Sequence, residues 1–79
     1  MDNQEVNIIL SKDESLVLFE FLSRFNGKKS EHKKLFEDQA EQRVLWDIEC
    51  ILQKKLAEPF RKDYLEIIAG ARNRIRDKE

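Results

Sequence analysis

One histidine, one cysteine and a few grouped carboxylates are the side chains in this 79-residue chain that could do chemistry. His32 stands between Glu31 and Lys33, with no second histidine and no cysteine pair nearby. A structural zinc site needs more ligands than one Cys and one His supply. His32 therefore reads as a solvated side chain. Cys50 lacks a neighbouring pattern that would activate a thiol, and packing is the commoner role of a lone cysteine. Glu37, Asp38 and Glu41 could hold a cation, but an acidic helix start accounts for them fully. No Gly-rich phosphate loop, zinc spacing or nucleophile elbow is present. The chain reads as noncatalytic, with no cofactor, no metal and no small-molecule substrate.

Charge decides the next class. Fifteen Lys and Arg face sixteen Asp and Glu, a formal net charge of -1. Near-neutrality removes the strongest argument for electrostatic binding to nucleic acid. Lys28, Lys29, Lys33 and Lys34 form one basic cluster, and Arg72, Arg74, Arg76 and Lys78 another. Neither is interleaved with aromatic residues, and a solvated connector and a helix C-terminus explain both. Nucleic acid is thus a third choice of partner. The neutrality is nevertheless a sum of blocks: -3 over residues 1–27, +3 over 28–34, -4 over 35–53 and +3 over 54–79. Opposed blocks suit antiparallel elements and leave charged patches for a partner.

Hydrophobic residues make up 41% of the chain, enough for the core of one small domain. No apolar run approaches the ~20 residues of a membrane span. The amino terminus, Met1-Asp2-Asn3-Gln4-Glu5, is acidic and lacks the pattern of a secretory signal. With Cys50 unpaired, a cytoplasmic protein is expected.

The elements follow from caps and breakers. Val6-Asn7-Ile8-Ile9-Leu10 is too short for a helix and reads as a short strand or an extended arm. A lone strand leaves its backbone groups to pair with a copy of itself, with another protein or with water. Ser11 and Glu14 form a capping box that opens a first helix over 12–25, and Asn26-Gly27 closes it through a left-handed glycine. A Lys-rich connector leads to a second helix over 37–55, acidic at its start and basic at its end. Glu58-Pro59-Phe60 breaks the chain. Asp63 and Glu66 suggest another capping box for a third helix over 63–76. The fold expected is all-α: one domain, a small three-helix bundle with an extended or short β N-terminal arm.

Helical arithmetic then assigns faces. On the first helix Val17, Leu18, Phe21, Leu22 and Phe25 form a continuous apolar face, and Leu16 and Phe19 carry it further round. Only the sector of Asp13, Glu20 and Arg24 is firmly polar. Such a helix calls for cover on more than one side. On the second helix Ala40, Val44, Ile48, Ile51 and Leu52 form a stripe, widened by Leu45 and Leu56. Trp46 and Cys50 lie on roughly the opposite side, either covered by the arm or the connector or serving as an exposed anchor. On the third helix Tyr64, Ile67, Ile68, Ala71 and Ile75 face inward. Glu41 falls within the apolar arc of the second helix, so a structural ion pair with Arg24, Arg72 or Arg76 is expected.

Two stretches carry a resemblance. LSKDESLVLFEFLSRF (10–25) and FEDQAEQRVLWDIECILQKKLAEPF (36–60), with the AGARNRIRD tail, resemble a group of small bacterial proteins frequent in cyanobacteria. The EDQAEQRVLW core is the most specific part of that signature. The resemblance implies a bacterial cytosolic protein of one intact domain, departing from the group in the connector 28–35. It names no reaction and transfers no functional residue.

The function expected is that of a protein–protein interaction module, in its most concrete form an immunity or antitoxin-like protein that masks a partner. The candidate partner-binding residues are Leu16, Phe19, Trp46 and Cys50. A structural homodimer is the alternative, and a weak nucleic-acid-binding accessory protein the third.

Overall fold

Ser11 begins the first helix as its spacing predicts. Its hydroxyl accepts from the Glu14 N–H at 3.0 Å, and the Glu14 carboxylate accepts from the Ser11 N–H at 2.8 Å. In this computed structural model, which describes residues 4–28 and 33–78, helix α1 then spans Lys12–Gly27. Gly27 closes the helix differently from expectation, because no described glycine has a positive φ. The helix runs on through Asn26 and Gly27, and the Lys28 N–H bonds the Phe25 carbonyl at 3.2 Å. A tertiary contact holds this last turn: the Asn26 amide donates to Glu49 Oε1 at 2.6 Å.

A 3-10 turn occupies Lys33–Leu35. Helix α2 spans Gln39–Lys55, two residues shorter at its start than the acidic run suggests. Asp38 is its cap rather than its first turn, accepting from the Ala40 N–H at 2.7 Å. A second 3-10 turn, Glu58–Phe60, carries Pro59 near its start, where proline's missing N–H costs nothing. Helix α3 spans Tyr64–Arg76. The capping box expected there does not form. Asp63 makes no side-chain cap and instead accepts from the Arg61 guanidinium at 3.0 and 3.2 Å.

The three helices form an all-α bundle centred on α1, which packs against both α2 and α3 while those two meet each other far less. Contacts at both ends of α1 set the directions. Asn26 meets Glu49 of α2 while Ser15 and Lys55 line one groove, and Asp13 and Glu20 meet Arg74 and Tyr64 of α3. Both neighbours therefore run antiparallel to α1. Among the described residues there is no strand, and no helix is long and apolar enough to cross a membrane.

The core consists of Leu16, Phe19 and Leu22 from α1, Leu52 and Leu56 from α2 and its end, and Ile68 and Ala71 from α3. Burying each large member contributes roughly 1.5–3 kcal/mol. The buried face of α1 is thus turned away from the one its longest apolar run suggests. Two helices seat on α1, and the residues pointing between them are Leu16, Phe19, Leu22 and Asn26. Phe21, expected on the continuous apolar face, remains 47% exposed. It stacks on Phe25 with ring centroids 5.6 Å apart, and Phe36 meets Phe25 edge-on at 5.8 Å.

Candidate partner-binding surface

The four candidate partner-binding residues occupy three different environments. Leu16 and Phe19 are core residues, 2% and 8% exposed, and are not available to a partner. This corrects the sequence expectation: the flank they occupy on α1 is the seam between its two neighbours. Trp46 is half-buried and lines a recess of about 240 Å³ on α2 with Gln39, Gln42 and Arg43. Cys50 is a free, exposed thiol. The arm does not cover these two residues, because it lies along the other flank of α2. Connector residues Lys29, Ser30, Glu31 and His32 fall outside the described residues.

The expected ion pair of Glu41 does not form either. Glu41 is exposed, and its carboxylate accepts from the Glu37 N–H at 3.0 Å. Because Asn26 in the last turn of α1 meets Glu49, the first turns of α2 project beyond the end of α1. Glu41 therefore has the right helical angle but no helix opposite it. Arg24 pairs within its own helix, 3.7 Å from Glu20, and its guanidinium lies 5.8 Å from the Phe21 ring centroid. Arg76 donates to the Asn73 side-chain oxygen. Arg72 is exposed.

Other polar contacts hold the bundle. Arg74 donates two hydrogen bonds to Asp13, at 2.7 and 2.9 Å. That bidentate guanidinium holds the Asp13 carboxyl below its ordinary range, and the Asp13 carboxylate raises Arg74 in turn. Lys12 reaches Glu58 at 3.1 Å, tying the start of α1 to the turn before α3. The Tyr64 hydroxyl donates to Glu20 at 3.0 Å. Burial, and then the Glu20 carboxylate, push the phenol above its ordinary range. These pairs were missed because the sequence suggested that α3 would meet the acids of α2, whereas it packs on α1. Asn26 was also missed. A residue that reads as a helix stop is a buried cross-link to α2, with its side-chain oxygen left without a partner.

The feature not absorbed by the bundle is the arm. Residues 4–10 carry neither helix nor strand, and all are exposed. Val6, Ile8 and Ile9 are 87%, 76% and 96% exposed. Among the described residues, no backbone group of residues 4–10 finds a hydrogen-bond partner. The arm runs beside Leu18 of α1 and Ile48, Ile51 and Leu52 of α2, enclosing with them a partly open apolar groove of about 740 Å³. Lys55 stands at its rim. Val44 and Ile51 extend the exposed apolar surface along α2. Such a contiguous exposed apolar patch marks interaction surfaces far more often than a single exposed side chain does.

Among the described residues no three His, Cys, Asp or Glu side chains gather as metal ligands do. No family model, curated protein or solved structure matches the chain.

Proposed function

We propose that this chain is a noncatalytic protein-binding module whose contact surface is the arm and the groove beside it. The observation that carries this reading is the exposure of three β-branched residues, Val6, Ile8 and Ile9, within a segment whose backbone groups have no partner among the described residues. Bare strand-like backbone with apolar side chains is what a second polypeptide can satisfy, either by adding a strand or by filling the groove. Trp46 and Cys50 offer a second, smaller patch on the other flank of α2. The narrower form of the proposal is an immunity or antitoxin-like protein that masks its partner. The free Cys50 thiol suits a reducing, cytoplasmic compartment.

The test compares two baits in extracts of the native host, the wild-type chain and Val6→Glu. Val6 is 87% exposed, so the variant retains its helicity by circular dichroism. Mass spectrometry is expected to find a protein, or further copies of the chain, captured by wild type and lost with Val6→Glu. Identical capture by both baits, or none above background by either, refutes the assigned surface.

A further inference from the structure

We infer that the partner of the arm is the arm of a second copy, paired antiparallel about Ile8 into a two-stranded ribbon over both grooves. This inference rests on the binding-module reading and names its partner.

The segment is self-complementary in this register. In a strand, alternate side chains share a face, so Val6, Ile8 and Leu10 lie together and Asn7 and Ile9 point the other way. In the single chain all five residues, Asn7 and Ile9 included, border the groove, so the alternation is set by the pairing itself. Val6, Ile8 and Leu10 are 87%, 76% and 38% exposed, each less than Ile9 at 96%. With Ile8 on the two-fold axis, Val6 faces Leu10 of the second copy and Ile8 faces Ile8. One face of the ribbon is then entirely apolar. Both bundles sit on that side of it, so the ribbon roofs the two grooves lined by Leu18, Ile48 and Ile51. A two-stranded ribbon is marginal by itself and needs such an apolar base.

Charge favours the same arrangement. Antiparallel pairing about Ile8 places Glu5 opposite Ser11 of the other copy and sets no acid against an acid, while Lys12 stays with Glu58 of its own chain. A parallel, in-register pairing would oppose Glu5 to Glu5, which is unfavourable. The antiparallel contact is also isologous and closes at two copies, as a two-fold interface must. It satisfies the unpaired N–H and C=O groups of residues 6–10 that the bundle leaves bare.

The two-fold axis through Ile8 gives a specific test, because any charge placed there meets itself. Ile8→Asp and Ile8→Arg are made separately and mixed, and association is read by sedimentation equilibrium through the micromolar range. Wild type is expected to dimerise. Each variant alone should weaken association by about tenfold or more, and their equimolar mixture should recover it as a heterodimer. Circular dichroism should show unchanged helicity, since Ile8 lies outside the core. Wild type that stays monomeric overturns the inference, as does a dimer that neither substitution weakens. A mixture that remains dissociated overturns the register. The broader reading is judged separately: a monomer whose arm still captures a different protein in the Val6→Glu comparison retains the binding module and loses only the second copy.

Discussion

The seam between α1 and α3 and the arm side of α2 are made of similar residues with opposite fates. Leu16, Leu22, Ile68 and Ala71 in the seam are at most 2% exposed. Val6, Ile8 and Ile9 on the arm side are at least 76% exposed. The seam has a helix on each side, held in register by the Asp13–Arg74 and Glu20–Tyr64 contacts. The arm side has helix faces beneath it and, among the described residues, nothing above. An apolar side chain thus contributes according to what covers it, and α1 has two helices to cover it while the arm has none. On the proposed reading, stability and recognition fall on separate surfaces of a very small domain.

The contrast is broken most directly in the seam. Leu16→Ala is expected to cost about 2–5 kcal/mol, from lost burial and the cavity left behind. Urea denaturation followed by circular dichroism measures it, and a loss below about 1 kcal/mol would show that the seam is not the centre of stability. Ser11→Ala removes the cap of α1 and should cost about 1 kcal/mol by the same measurement.

Acid should act more weakly, because the groups concerned are exposed. Arg74 holds the Asp13 carboxyl below its ordinary value of 3.8. The Ser11 N–H does so for Glu14, and backbone N–H bonding followed by Lys12 for Glu58, both below the ordinary 4.5. Each group binds its proton less readily folded than unfolded. The stability they supply is complete above those ordinary values and is lost as pH falls through the depressed folded ones. Tm should fall between about pH 5 and about pH 3, and Arg74→Gln should flatten that fall. An unchanged slope in the variant would remove Asp13 from the account. Smallest of all, Ile9→Ser should change monomer stability by less than about 0.5 kcal/mol. A larger loss, measured on dilute protein, would mean that the arm belongs to the core and would erase the contrast.

Local signals were legible where a residue acts on its own neighbours. Ser11 and Glu14 cap α1, Pro59 interrupts the chain after α2, and the inward face of α3 contains the buried Ile68 and Ala71. The signals that failed depended on a neighbour in space. Glu41 has the helical angle of a buried residue, but α1 ends before reaching it. Asp63 looks like a cap, but the nearby Arg61 guanidinium takes its carboxylate. Leu16 and Phe19 read as one flank of a helix apolar nearly all round, where periodicity cannot choose the buried side. Of the candidate surface, the apolar run from Val6 to Leu10 was visible as a segment in need of a partner. The groove beside it was not, because it joins Leu18 to Ile48 and Ile51 across two helices.

The sequence by itself determined that this chain is helical, where its first helix begins, and that its arm is apolar and strand-like. Those properties rest on caps, breakers and side-chain type within a few residues of one another. Only the tertiary structure decided that α1 is the central helix, that Leu16 and Phe19 rather than Phe21 fill the core, and that Arg74 finds Asp13. Those outcomes depend on the rotation and end-to-end offset of three helices. A helix with apolar residues around most of its circumference permits several such packings, and burial on two sides at once selects among them.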